Sequence, residues 1–167
     1  MTNFEYFIKK YGRSDLLIDA NLLIVLLVGN TDEKIIDKVK PTRAYTSEDY
    51  RFLIRLIKHF RVVTTPHILT EASNLCEKTE KHHKDKIMLE FSKTVIDLIE
   101  VPIPSKEAVT TPIFRKLGLS DSIIFQLGKK GLIVLTDDFE LHSYLLGNDI
   151  TAANINHFRS EYILKKR

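Results

Sequence analysis

Short apolar segments alternate with helical segments along most of the chain, and this alternation constrains the fold more than any other feature. Segments 15–18, 61–64 and 132–135 are brief runs rich in Leu, Ile and Val, and each is followed by residues with helical apolar spacing. Strands buried on both faces have this appearance, because helical crossovers cover both sides of a parallel sheet. The sequence therefore predicts an α/β fold, a three-layer α/β/α arrangement around a central parallel sheet.

The length and composition of the chain indicate a single domain. The 167 residues are 44% hydrophobic, with only 6 Gly and 5 Pro, which excludes collagen-like, low-complexity and wholly disordered chains. A chain of this size buries roughly 70% of its unfolded surface when it folds as one unit. We predict one domain over 1–167, with an N-terminal helix within 1–13 and a C-terminal helix within 153–167.

Cysteine usage and hydropathy favour a cytoplasmic protein without a membrane segment. Cys76 is the single cysteine, which excludes an internal disulfide framework and a multi-cysteine zinc site. The longest apolar run, 16–28, contains Asp19 and Asn21 and is shorter than the ~20 residues that span a bilayer. The net charge of +3 and the pI near 8.9 permit a polyanionic partner but do not require one.

Capping residues and apolar spacing predict the remaining elements. Thr46 with Asp49 resembles a capping box, and Thr65–Pro66 is typical of a helix start. Further helices are expected over 3–11, 20–28, 87–99 and 137–146, and strand segments at 101–104 and 149–152. Residues 29–43 are polar and expected to be partly loop, and the charged residues 78–86 are expected to be solvated.

Carboxylates follow the predicted strands. Asp19 ends the first strand in LLIDANLL, Asp137 and Asp138 end a late strand in IVLTDDFEL, Asp121 opens a helix, and Glu71 lies inside another. Ligands bind outside the carboxyl ends of the strands in sheets of this kind. The four segments that carry these acids contain no Lys or Arg, and their accompanying polar residues are small: Asn21, Ser120 and Thr136.

Each acid taken singly also has a structural explanation. Asp19 can cap the helix that follows it, and Asp121, Asp137 and Asp138 lie in first helical turns, where acids complement the helix dipole. Glu71 falls at the edge of an apolar stripe and is expected to be half-buried.

Taken together, the acids point to a metal. Clustered carboxylates without a basic partner repel one another, which raises the pKa of one or more of them. A hard divalent cation relieves this repulsion, and it can polarise a phosphate and activate water.

This order of motifs resembles the PIN domain family, which is similar in fold to metal-dependent 5′ nucleases. The resemblance rests on an apolar strand ending in Asp-x-Asn, Thr-Glu in a helix after the second strand, an Asp opening a later helix, and Thr-x-Asp after a closing strand, and it covers roughly 14–155. It implies the following acidic quartet for metal binding and catalysis: Asp19, Glu71, Asp121 and Asp138. It also implies Asp137 as an auxiliary ligand and Asn21 and Thr136 as supporting residues, beside which Ser120 lies at the same edge.

The family resemblance also implies a function. Many PIN proteins are Mg²⁺- or Mn²⁺-dependent ribonucleases that use water as the nucleophile, including toxins of toxin–antitoxin pairs. The expected cofactor is Mg²⁺ or Mn²⁺, and the expected partners are RNA, an antitoxin protein and a second copy of the chain. The alternative is a PIN-fold module that binds RNA or protein without cutting it. A haloacid dehalogenase-type phosphatase fits less well, because Asn21 stands where that class needs a second Asp.

Basic and aromatic residues are candidates for contact with RNA. Arg115 and Lys116, just before Asp121, are the main candidates for phosphate contact. Further basic residues lie around the third helix and at the C-terminus: Arg43, Arg51, Arg55, Lys58, Arg61 and 165–167. Tyr45 and Tyr50 can either stack on unpaired bases or pack in the core.

Two further reactive side chains favour structural roles. Cys76 lies on the apolar stripe of its helix, which is typical of a small buried thiol rather than a nucleophile. His67 is one turn before Glu71, where it is either a polar residue of the helix start or a base or metal ligand.

Overall fold

The computed structural model describes the backbone of residues 1–165 and the side chains of residues 1–161. The strands are β1 (Asp15–Ile18), β2 (Arg61–Thr64), β3 (Ile99–Glu100), β4 (Ile133–Thr136) and β5 (Ala152–Asn154). The helices are α1 (Asn3–Tyr11), α2 (Ala20–Asp32), α3 (Ser47–Ile57), α4 (Pro66–Cys76), α5 (Lys81–Asp97), α6 (Ser105–Ala108), α7 (Phe114–Leu117), α8 (Leu119–Lys129), α9 (Phe139–Leu146) and α10 (Ile155–Lys165). Single 3₁₀ turns cover Glu33–Ile35 and Lys40–Thr42. Within this described part, no helix combines the length and the apolar character that crossing a bilayer demands.

The five strands form one parallel sheet in the order β3–β2–β1–β4–β5. Leu17 in the central strand β1 lies in register with Val63 of β2 and Val134 of β4. Helices flank this sheet, which confirms the predicted three-layer α/β/α fold.

The strand order reverses between β1 and β4. The chain runs outward from β1 through β2 to β3, then returns across the sheet to β4 and continues to β5. Such a reversal leaves a crevice outside the carboxyl ends of the two strands, and open α/β sheets bind their ligands there. Ile18 pairs with Leu135, so Asp19, which follows β1, lies beside Thr136, the last residue of β4.

Helix α2 is the central helix of the core. Residues 22–29 are all buried, which is the pattern of a helix surrounded by protein on every side. It packs against α3, α4 and α5, while α8 packs against α4, α6, α7 and α9. A helix this apolar immediately after β1 holds the end of that strand, and Asp19 with it, in a fixed position.

Helix α2 runs to Asp32, so the predicted end at residue 28 is wrong. Gly29 is buried inside the helix, and a Cβ built on it would lie 2.2 Å from a ring carbon of Tyr50. The Tyr50 hydroxyl donates a hydrogen bond to Asn30 Oδ1 over 2.8 Å. Gly29 therefore allows the Tyr50 ring to pack closely against the helix and does not end it. The local sequence does not show this contact.

Several other predicted boundaries are wrong: β4 covers Ile133–Thr136 rather than 132–135, and α9 begins at Phe139 rather than 137. Helix α5 begins at Lys81, so much of the charged segment 78–86 is helical. Residues 101–104 are not a strand: β3 ends at Glu100, and two prolines at 102 and 104 lack the N–H that a strand would need. Strand β5 begins at Ala152 rather than 149, because Asp149 adopts a positive φ of 60° in the turn after α9.

The predicted capping signals are confirmed. Thr46 and Asp49 form a reciprocal capping box at the start of α3, and Thr65 caps α4 with Pro66 in its first turn. Asp49 also forms an ion pair of 2.7 Å with Arg159, which connects α3 to α10. The caps fix the starts of α3 and α4, and the ion pair fixes the start of α3 against α10.

Candidate functional site at the carboxyl edge of the sheet

Asp19 is buried at the reversal point of the sheet. The residue is 6% exposed. Its carboxylate caps α2, with Oδ1 accepting a hydrogen bond of 2.8 Å from the Leu22 amide. Its Oδ2 accepts from the Thr136 hydroxyl and, over 3.2 Å, from the Asp137 amide. The capping explanation is thus confirmed, but it accounts for only one of the two carboxylate oxygens.

Asp137 is held from four directions. Asn21 Nδ2 donates to its Oδ1 over 3.1 Å, and the Tyr45 hydroxyl donates to its Oδ2. The side-chain amides of Asn154 and Asn156 donate to its backbone carbonyl over 3.2 and 3.3 Å. Asp137 is therefore fixed next to Asp19 rather than free to turn away from it.

The closeness of these two acids has an electrostatic cost. Burial, with the neighbouring Asp137 as the second cause, raises the pKa of Asp19 to about 8, although its hydrogen bonds oppose the shift. Burial and the Asp137 carboxylate also raise the pKa of the Tyr45 hydroxyl. No Lys or Arg among the described residues forms an ion pair with either acid.

Asp121 forms a second acidic group with its neighbours. It lies half-buried in the first turn of α8, and burial together with Asp138, Glu71 and Glu140 raises its pKa to about 7. Asp138 is exposed and caps α9, accepting a 2.9 Å hydrogen bond from the Leu141 amide. The structure thus places Asp137 beside Asp19 and Asp138 toward Asp121.

Glu71 is exposed, so the expectation that it is half-buried is wrong. Its helix buries the neighbouring stripe of Ile68, Leu69 and Ala72, and Glu71 faces an open cleft instead. The cleft has a volume of about 400 Å³, and Ser120 contributes to its wall. Glu71 acts on Asp121 through its charge and has no cation paired with it in the described part of the chain.

The acids form two groups rather than one compact cluster. Among the described residues, no three His, Cys, Asp or Glu side chains stand close enough together to hold a metal ion as they are placed. Mg²⁺ commonly takes only one or two protein carboxylates and keeps several waters. The pair Asp19 and Asp137 offers oxygen donors only, which matches that type of donor set.

The predicted basic residues fall into two classes. Lys116 Nζ lies 2.9 Å from Glu140, at the border of the second acidic group, and Arg115 beside it is exposed with no ion pair among the described residues. Arg51 and Arg61 instead pair with Glu33 and Asp15. The side chains of the C-terminal residues 165–167 lie outside the described part.

Of the two reactive side chains outside the acids, one is inert and one lines the cleft. Cys76 is buried, and burial raises the pKa of its thiol to about 11, which suits a packing role. His67 lines the same cleft as Glu71, with Nε2 at 2.8 Å from Ser105 Oγ.

Of the four residues that fix Asp137, only Asn21 was predicted from the sequence as a supporting residue. Tyr45 was a candidate for base stacking or the core, whereas its hydroxyl is bonded to an acid 92 positions away. Asn154 and Asn156 were not singled out at all, and the only signal they offered was polarity just after a short strand. Contacts over such separations follow from the fold and not from any local pattern.

Comparison with known proteins gives no family assignment, because no protein-family model and no curated protein matches the chain.

Proposed function

We propose that the chain is a PIN-like, Mg²⁺- or Mn²⁺-dependent ribonuclease that hydrolyses RNA phosphodiester bonds in the cytoplasm. The observation that carries this proposal is the buried Asp19 held against Asp137 at the reversal of the sheet. Hydrogen bonds from neighbouring polar groups hold the two carboxylates close together, and no Lys or Arg among the described residues offsets their repulsion. Such an arrangement suits a site that binds a divalent cation.

The donors proposed to hold the ion are carboxylates at the carboxyl edge. Because the acids lie in two groups, Asp19 with the neighbouring Asp137 would hold one ion, and Asp121, Asp138 and Glu71 would complete that site or hold a second ion. A divalent cation bound there supplies a Lewis acid that polarises the phosphate and activates water for in-line attack.

The remaining residues of the site have supporting roles in this proposal. Asn21 and Tyr45 orient the two oxygens of Asp137, and Thr136 donates to Asp19. Arg115 and Lys116 provide positive charge at the border of the acids, where they would attract the RNA backbone. Because water is the nucleophile, no covalent enzyme intermediate is expected.

Cleavage of RNA by the purified protein tests the proposal. We expect a panel of structured and unstructured RNAs to be cut with Mn²⁺ and to stay intact with EDTA. Binding of RNA without cutting in any metal would instead favour the non-catalytic module. Cutting that persists in EDTA would point to a contaminating nuclease or to chemistry without a metal, and would contradict the proposal.

Tyr45→Phe is expected to weaken Mn²⁺ binding about 10-fold, because it removes the hydroxyl that orients Asp137 but keeps the ring. Cleavage should fall at low Mn²⁺ and recover as Mn²⁺ is raised. Tyr50→Phe is the matched control, since its hydroxyl is bonded to Asn30 instead. Equal Mn²⁺ dependence in both variants would show that Tyr45 does not position a ligand.

A further inference from the structure

An exposed aromatic ring lies at the border of the acidic edge. Phe139 is 71% exposed, and no other Phe or Tyr whose side chain is described is as exposed. It is the first residue of α9 and lies between Asp138 and Glu140, two of the acids that raise the pKa of Asp121. Since an exposed Phe adds nothing to the core, its position beside these acids suggests a ligand-binding role.

The surroundings of Phe139 contain both signs of charge. Lys116 pairs with Glu140, the next residue after Phe139, and Arg115 is exposed on the same short helix as Lys116. A nucleotide has an apolar, aromatic base and an anionic phosphate. An exposed ring with cations beside it is complementary to both parts.

A second feature lies near Asp121. The open cleft of about 400 Å³ is walled by α4 and the first turn of α8 and has mixed polar and apolar lining: Pro66, His67, Thr70, Glu71, Asn74, Leu119 and Ser120. Its volume is within the range of small-ligand sites. Asp121 is therefore close to both features: Glu71 of the cleft acts on it through its charge, and so do Asp138 and Glu140, the neighbours of Phe139 in sequence.

We propose that this edge binds unpaired RNA, with one base stacked on Phe139, the backbone beside Arg115 and Lys116, and a neighbouring nucleotide in the cleft. The inference rests on the proposed ribonuclease function and narrows its substrate to single-stranded segments. A duplex keeps its bases stacked on one another, so it can neither cover an isolated ring nor place a base in a cleft. Duplex RNA is therefore a poor ligand.

A protein partner is a weaker explanation of the exposed ring. Leu146, 50% exposed, is the other large apolar residue exposed on α9, and it lies seven residues from Phe139. Seven residues of helix rise by about 10.5 Å, and the exposed Ser143 lies between them. The two side chains do not form the continuous apolar patch that a protein interface would need.

The lack of tryptophan in the chain allows a direct test. Phe139→Trp introduces a single fluorophore, and Ile96→Trp, at an 81% exposed position on α5, is the matched control. In EDTA, where no hydrolysis is expected, short oligoadenylate should quench the fluorescence of F139W saturably and leave I96W nearly unchanged. A blunt RNA duplex should quench neither variant at the same concentrations.

Phe139→Ala supplies the second measurement. Loss of one stacked base should weaken oligoadenylate binding about 5-fold or more, measured by anisotropy of labelled RNA. Equal quenching of F139W and I96W, quenching by duplex, or unchanged affinity of F139A would each overturn the proposal. A fluorescence change of F139W with protein concentration alone would identify a self-interface and would also overturn it.

The fluorescence and cleavage measurements together distinguish the stacking-site proposal from the ribonuclease proposal. Mn²⁺-dependent cleavage without quenching of F139W would retain the ribonuclease and reject the stacking site. Saturable quenching without cleavage would support the single-stranded RNA site and reject the ribonuclease.

Discussion

Asp19→Asn is expected to lower Mn²⁺-dependent RNA cleavage by more than about 100-fold. Asp19 is the most deeply buried acid of the edge, and it is fixed by the Leu22 and Asp137 amides and the Thr136 hydroxyl. The amide of asparagine keeps the size of the side chain and an acceptor for Leu22, but it loses the negative charge. The expected loss is therefore one of metal binding and not of folding, and initial rates of RNA cleavage measure it.

Asp85→Asn is the matched control for this prediction. Asp85 is exposed on α5 and is not among the charges that raise the pKa of Asp19 or Asp121, and its substitution removes the same charge from the chain. Both variants should keep the circular dichroism of the wild type. Full cleavage by Asp19→Asn, or an equal loss in Asp85→Asn, would remove Asp19 from the catalytic site.

Without divalent ions, the free energy of unfolding is expected to fall as pH rises from about 7 to about 9. The pKa of Asp19 is raised to about 8 and that of Asp121 to about 7, from an ordinary value of 3.8. Over this range the folded state still holds protons that the unfolded state has released, so rising pH favours unfolding. Denaturant titrations in EDTA at several pH values measure the slope.

The titration of His142 is the reason to measure the free energy of unfolding only above about pH 7. Burial, with His157 as the second cause, lowers the pKa of His142 below its ordinary 6.5. Because the unfolded state then takes up a proton more readily than the folded state, His142 makes the protein less stable as pH falls below about 6.5. In that range it opposes the gain in stability that protonation of Asp19 and Asp121 gives. Above that pH, Asp19→Asn should flatten the slope, and a slope equal to that of the wild type would show that Asp19 is not the group responsible.

Much of the fold could be predicted because the relevant signals are local. Strands β1 and β2 were predicted with their observed bounds, since Asp19 interrupts the apolar residues of β1 and two threonines follow the valines of β2. The capping box at Thr46 and the helix start at Pro66 depend on residues within one turn of each other. The end of α2 was missed because Gly29 inside it packs against the Tyr50 ring, which belongs to the next α-helix, α3.

The candidate site was predictable in outline but not in its pairing. That the acids gather at one edge follows from parallel strands, whose carboxyl ends all lie on the same side. Asp137 and Asp138 are adjacent in sequence, and only the path of the chain after β4 directs one to Asp19 and the other to Asp121. The exposure of Glu71 likewise depends on the cleft between α4 and α8, which no local pattern shows.

Direct titration of the protein with Mn²⁺, followed by calorimetry or electron paramagnetic resonance, tests the central claim most directly. The claim is that the acids around Asp19 and Asp137 form a divalent-cation site. We expect saturable binding by the wild type and by Asp85→Asn, and loss of that binding in Asp19→Asn. Absence of saturable binding by the wild type, or undiminished binding by Asp19→Asn, would contradict it.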